Sequence, residues 1–292
     1  MLLQQIINGL TIGATYALVA VGFSMVYSVL ELANFANGAF YVFAPYIVVL
    51  LYASMGWGFI PALLIAVLAT GILGAMMARC ILTTIRNHKA QTSSSMVATL
   101  GVSTVIINGL IAVFGSATRS LPNAVNIGRI YIGSAIMTGN QLVIIVMSVI
   151  IMAVLSIIVY KTKLGSAMRS IAQNQVASRM MGVNVNRIIT VTFLIGSASA
   201  AIAGTMVAMY YGSVDTTLYT SVSVKTFASA ILGGIGSVPG AMLGGVIIGM
   251  LETFVAGYWT SAYKDMIAFI IIIAFLIFKP NGLLGHRKLN KV

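Results

Sequence analysis

The sequence predicts an all-α, polytopic integral membrane protein, and three observations carry that prediction. The 292 residues are 60% hydrophobic and 7% charged, whereas a soluble domain carries about 25% charged residues. No water-facing globule hides that much apolar surface, so the solvent is lipid. Apolar runs recur along the whole chain at lengths near the ~20 residues that a helix needs to cross a bilayer. The charges are also sorted: of sixteen Lys plus Arg, twelve fall in 79–90, 161–187 and 279–292, and none of the four acids does. Short loops rich in Lys and Arg stay on the cytoplasmic side. This placement explains the net charge of +12 better than nucleic-acid binding would, and attraction to anionic lipid follows from it.

The spans are expected at 5–29, 39–55, 60–79, 95–114, 141–160, 188–211, 223–235, 238–257 and 265–279. Segments 39–55, 223–235 and 265–279 are short and read as half-helices, re-entrant pieces or oblique spans, giving about eight to nine crossings. With the three basic segments inside, 115–140 falls outside, the N-terminus outside and the C-terminus inside. Trp57, Trp259, Tyr258 and Tyr263 fit an outer aromatic belt. The N-terminus has no basic region of a cleavable signal, and its apolar run is long enough to span.

Two places interrupt the apolar pattern. The first is ELANFANGAF, residues 31–40, with Glu31, Asn34, Asn37 and Gly38. The second is LGGIGSVPGAMLGG, residues 232–245, with Gly233, Gly234 and Gly236 among six glycines. Irregular backbone at membrane depth is tolerated only where protein or a water-filled cavity covers it. Broken helices in the two halves of a chain point to a transporter's permeation site, so Asn34, Asn37, Gly38, Gly233, Gly234 and Gly236 are the expected pathway residues. For the glycines, tight helix crossing is an equally good account. The breaks flank the middle of the chain, as in an inverted repeat, although the halves do not align convincingly.

Residues 161–187, KTKLGSAMRSIAQNQVASRMMGVNVNR, carry five basic residues and no acid. Leu164, Met168, Ala172, Val176 and Met180 recur at every fourth position, as on one helix face. An amphipathic helix on the basic side of a membrane protein is a docking surface for a cytoplasmic partner.

Enzymatic chemistry is not expected. There is no phosphate-binding loop: GGIGSVPG lacks the Lys and Ser/Thr that hold phosphates. No catalytic serine elbow or carboxylate pair is visible. His88 and His286 lie far apart, Cys80 stands alone, and no metal or cofactor site is expected. Glu252, inside LGGVIIGMLETFVAG, is an intramembrane acid and therefore a candidate ion-binding group. The plainer reading pairs it with Lys264 or a backbone group near the outer end of its helix. Glu31 is expected to cap the helix beginning near Asn34, and Lys225 to snorkel.

Four stretches together carry a family resemblance: NGLTIGATYALVAVGFSMVYSVLELANFANGAF, LGSAMRSIAQNQVASRMMGVN, FASAILGGIGSVPGAMLGG and FKPNGLLG. Their order and content resemble the permease subunits of branched-chain amino-acid ABC importers of the LivH type. The resemblance implies one permease domain over 1–292, in the bacterial inner membrane. It implies as partners a second homologous permease, two cytoplasmic ATPase subunits that hydrolyse ATP, and a periplasmic solute-binding protein. It also implies that 164–182 is a coupling helix seated on an ATPase, with Gly165, Arg169, Ala172, Ala177 and Gly182 matching the family pattern and Arg179 as a further basic contact. Gln175 stands where many ABC importers have Glu. In the first break, Asn37 replaces a common His and Ala39 a common Glu, so the solute is left open among branched-chain amino acids, other amino acids, urea and amides. The alternative is an ion-coupled carrier or channel acting alone, with Glu252 or Glu31 as the coupling group.

Overall fold

The computed structural model describes residues 2–87, 91–122, 128, 130–132, 135–259, 263–279 and 281–285. His88, Arg129 and His286 lie outside them. The architecture is a helical bundle with two small strand pairs at one end. Helix α1 (Leu2–Leu30) is followed by α2 (Asn37–Val48), which continues as a π-helical stretch through Ser54. Helix α3 (Phe59–Met76) runs on through a π-helical stretch, Met77–Leu82, into α4 (Thr83–Asn87). Then come α5 (Thr92–Phe114), strands β1 (Arg119–Ser120), β2 (Ile130–Ile132) and β3 (Ala135–Met137), and α6 (Gly139–Lys161). The remainder is α7 (Lys163–Gln173), α8 (Gln175–Met180), α9 (Val185–Tyr211), β4 (Ser213–Val214), α10 (Leu218–Gly233), α11 (Val238–Tyr258) and α12 (Lys264–Phe278).

Among the described residues, seven helical spans are long and apolar enough to cross a membrane. All nine expected segments are helical. The two that fall short are α10, with 16 residues, and α12, with 15. The expected span 39–55 reaches full length because its helix starts at Asn37 and continues to Ser54. Strands were not expected. They are confined to the end where β1 pairs with β4 and β2 with β3.

Helix α1 is the axis: 78% of its most apolar window is buried, against 22% for α5 and α6. The outer helices therefore offer their apolar faces outward. On α3 the exposed stripe is Ile60, Leu64, Leu68, Ile72 and Met76, spaced as one helix face. In lipid such a face has no drive to fold inward, and helices associate through close packing of small residues. The α1–α11 seam is built that way. A Cβ on Gly249 would lie 2.2 Å from Gly13 Cα, and one on Gly245 2.3 Å from Ala17 Cα. Gly22 meets Gly196 and Ser199 of α9, and Gly74 of α3 meets Ser197.

The ends of the bundle are distinct. Near the start of α1, Gln4 exchanges two hydrogen bonds with the backbone of Ile136. At its finish, Val29 O accepts from Gln175 of α8. The 115–140 segment and the 161–187 segment therefore sit at opposite ends, and the described parts of the other basic segments, around Arg86 and 281–285, join the α7–α8 end. Trp57, Tyr258, Trp259 and Tyr263 are all exposed and follow or precede helix ends on the other side.

Candidate functional site

The two sequence breaks are neighbours. Helix α1 stops at Leu30, and Glu31 turns the chain with φ 53°, a left-handed conformation uncommon for a side chain of this type. Asn34 Oδ1 accepts from Ala36 N at 3.1 Å, and Thr99 Oγ1 of α5 accepts from Phe35 N at 3.1 Å. These bonds satisfy backbone groups that the broken helix would otherwise strand. Glu31 does not cap α2: the cap position is Ala36, which makes no side-chain cap bond. The α10–α11 turn uses Gly234 at φ 103° and Gly236 at φ 86°, where glycine avoids strain. Ser237 then caps α11 by accepting from Gly240 N. Ser28 Oγ donates to Gly236 O at 3.0 Å and ties the breaks together.

Between them lies a cavity of about 480 Å³, lined among others by Ser28, Glu31, Arg169, Gln173, Gly236 and Ser237. It unites one expected pathway residue, Gly236, with two expected coupling residues, Arg169 and Ala172. The other pathway candidates lie elsewhere. Asn34 and Asn37 are buried, and Asn37 Nδ2 has no hydrogen-bond partner. A Cβ on Gly38 would collide with Ser223 and Tyr219 O of α10. One on Gly233 would meet Gly240, and one on Gly234 would meet Gly285. These three glycines stand at close backbone approaches.

The expected single coupling helix is two helices. Asn174 is extended, at φ −160° and ψ 111°, because its side chain caps α8, accepting from Val176 N and Ala177 N. Such local bonding competes with helix continuation. Ser170 and Ser178, 2.6 Å apart, hold the pair together. The four-residue stripe consequently splits. Met168 is buried, whereas Val176 is 68% and Met180 and Met181 each 84% exposed. Gly165 packs against Val159 O at the α6–α7 turn. Arg169 donates to Val159 O and lies over the Tyr160 ring, so it anchors α7 on α6. Ala177, Arg179 and Gly182 are exposed, and Gly182 ends α8 at φ 82°. Gln175, which accepts from Arg86 and donates to Val29 O, was not singled out as a functional residue from the sequence.

A second polar centre joins α1, α10, α11 and α12, with Lys225 and Glu252 buried and Asp265 partly exposed. Tyr16 is the midpoint of α1, and Lys225 is central in α10. Lys225 Nζ is 2.9 Å from Glu252 Oε2 and 2.8 Å from Asp265 Oδ1. Tyr16 OH donates to Glu252 Oε2 at 2.9 Å and accepts from Lys225 Nζ at 3.3 Å. Lys225 does not snorkel: it is 4% exposed, and two carboxylates compensate its charge. Glu252 pairs with Lys225, while the Lys264 side chain lies outside the described residues. From Glu252 toward the strand-bearing end opens a pocket of about 220 Å³ that includes Gln5, Asn8, Tyr210, Tyr211 and Thr253. Among the described residues no cluster of His, Cys, Asp or Glu fits a metal ion.

The architecture is that of a helical protein with seven described spans long and apolar enough to cross a membrane. The family model for the branched-chain amino acid transport system permease component matches residues 5–276. The chain belongs to that family. It is 34% identical to the high-affinity branched-chain amino acid transport system permease protein BraD of Pseudomonas aeruginosa, over 99% of this chain and 98% of that protein. It is also 34% identical to the corresponding LivH protein of Escherichia coli K12, over 99% and 97% of the two chains. Among solved structures, PsaBC from Streptococcus pneumoniae in complex with a Fab matches with a TM-score of 0.52 and 14% identity. That match covers 94% of this chain and 91% of the other, and it concerns the fold alone.

Proposed function

We propose that this chain is the membrane-spanning permease subunit of an ABC importer for branched-chain or other amino acids, a single permease domain over 1–292. Family membership supports the substrate class. The observation that carries the coupling is the exposed tip of α8: Val176, Met180 and Met181, with Arg179 beside them. Methionine adapts its shape to a partner surface, and this tip is joined to α1, α4 and α6 through Gln175 and Arg169. An ATPase moving against it moves the bundle as a body. Gly165 is the tightly packed base of this element, Ala172 faces the cavity beside it, and Ala177 and Gly182 form its outer side.

The remaining partners are a second homologous permease, two ATPase subunits in all, a periplasmic solute-binding protein, and lipid. The location is the bacterial inner membrane, with α7, α8 and the C-terminus facing the cytoplasm. Asn34, Asn37 and Gly236 border the route, and Gly38, Gly233 and Gly234 are the close approaches that shape it.

The test is uptake of radiolabelled L-leucine by the complete assembly in proteoliposomes with ATP inside. Uptake that needs ATP and is lost when the ATPase subunits are omitted supports the reading. Uptake by this chain alone, driven by a proton or sodium gradient, overturns it.

A further inference from the structure

We propose that Arg86 of α4 and Arg179 of α8 together receive one carboxylate from the ATPase subunit, so that α4 joins α8 in the seat for that partner. The proposal rests on the permease reading above and names a contact within it.

Arg86 carries an incompletely satisfied guanidinium. Its Nη2 donates to Gln175 Oε1 at 2.9 Å, while Nη1 is buried and has no hydrogen-bond partner among the described residues. A buried donor left unmet costs more than a made bond returns, and arginine does not shed its proton to escape that cost. The charge acting on it is another cation, Arg179. None of the chain's four acids meets Nη1. Glu252 and Asp265 hold Lys225, Asp215 accepts from Thr217 N, and Glu31 borders the cavity with Arg169. Two neighbouring cations, one with an enclosed and unused donor, form a receptor that an anion from outside the chain completes.

The surroundings identify the anion. Gln175 and Arg179 are four residues apart on α8 and share a face, so Arg179 stands on the side that holds Arg86. Val176 and Met180 form the adjacent row and are exposed. A partner seated on α8 therefore meets an apolar ridge with a cationic row along one flank. The complement is a groove with an apolar floor and an acid at its edge, which is a protein surface and not a lipid headgroup. A carboxylate offers one oxygen to each guanidinium, and such charge-assisted bonds are about twice as strong as neutral ones. It also offsets the repulsion between the two arginines and ties α4 to α8 while the ATPase is bound.

The experiment measures binding of the purified ATPase subunits to everted membrane vesicles that carry the permeases, over a range of salt concentrations. Arg86→Gln and Arg179→Gln are each expected to weaken binding by about tenfold and to flatten its salt dependence. The double variant is expected to lose well under the product of the two losses, because both arginines serve the same carboxylate. Gln175→Ala separates shape from charge: it loosens α8 and is expected to weaken binding with the wild-type salt dependence. Wild-type binding by Arg86→Gln overturns the shared carboxylate while leaving the permease reading standing. So does weakened binding by Arg86→Gln with the salt dependence unchanged, or a double variant whose losses multiply. Should Arg86→Gln not be recovered in the membrane, Arg86→Lys is read instead: a single ammonium does not match the guanidinium fork, and wild-type binding by it overturns the proposal. Failure of the ATPase subunits to bind even wild-type vesicles overturns both.

Discussion

Gln175 accepts a hydrogen bond from Arg86 at 2.9 Å, and its amide nitrogen reaches Val29 O at 3.3 Å. One side chain thus stitches α8 to the ends of α1 and α4. Gln175→Ala should loosen α8 and lower ATP-driven uptake severalfold while leaving the bundle folded. Gln175→Glu should retain more uptake than Gln175→Ala, because a carboxylate keeps a charge-assisted bond with Arg86 while losing the bond to Val29 O. The check is uptake by the two variants side by side. Unchanged uptake in Gln175→Ala would remove Gln175 from the coupling path.

Arg169 and Arg179 should separate when reversed in charge. Arg179 is exposed, and surface substitutions typically change stability by no more than about 0.5 kcal/mol. Arg179→Glu should therefore leave thermal unfolding of the chain unchanged and reduce recovery of the ATPase subunits. Arg169→Glu breaks the bond to Val159 O and should lower both. Co-purification and melting curves on the same samples distinguish them.

The Lys225–Glu252–Asp265 triad predicts a rescue. Removing one partner of a buried ion pair costs roughly 3–5 kcal/mol. Lys225→Met should strongly destabilise the protein in detergent, because Glu252 and Asp265 lose their shared cation. The triple variant Lys225→Met, Glu252→Gln, Asp265→Asn should recover most of that loss. If the triple variant melts no higher than the single one, the triad contributes no such pairing energy.

The α1–α11 seam predicts intolerance of a single added side chain. Gly249→Val places a Cβ 2.2 Å from Gly13 Cα, and overpacking typically costs about 1–3 kcal/mol. Gly101→Ala on α5, where nothing lies within 4 Å, should be neutral or slightly stabilising. Thermal unfolding of both variants tests the contrast.

Asp215, in the loop after β4, has its carboxyl held below the ordinary value of 3.8, chiefly by the hydrogen bond from Thr217 N, with further help from the Thr217 and Thr118 side chains and against partial desolvation. A depressed carboxyl pKa stabilises the fold above the unfolded-state value and ceases to do so as pH falls through the folded one. Amide protection around Thr217 should therefore hold at neutral pH and fall in acid, with a midpoint below 3.8. A midpoint at or above the ordinary value would show that these bonds do not favour the ionised form.

Much of this was legible in the sequence. The long spans, the sorted basic segments and the two breaks all follow from local composition. The division of 164–182 was not read, although Asn174 carried a signal: it is a strong cap former placed inside a helical pattern. The four-residue stripe concealed it, because periodicity continues in phase across a one-residue interruption. The triad was missed for a different reason. Lys225, Glu252 and Asp265 are brought together by tertiary packing that local pattern does not encode. One clue was available: a lysine in the middle of an apolar helix needs an acid, and the chain has four.

Leu283 N and Leu284 N donate to Leu232 O and Gly233 O, the final carbonyls of α10. At the other end of α12, Asp265 grips Lys225. A single helix and its tail therefore clasp α10 at two levels, like a bracket bolted at both ends. Neither of the two helices slides along the other without releasing an ion pair and a pair of backbone bonds together. In any rearrangement they travel as one strut, and whatever pulls on the tail is felt at the charged centre.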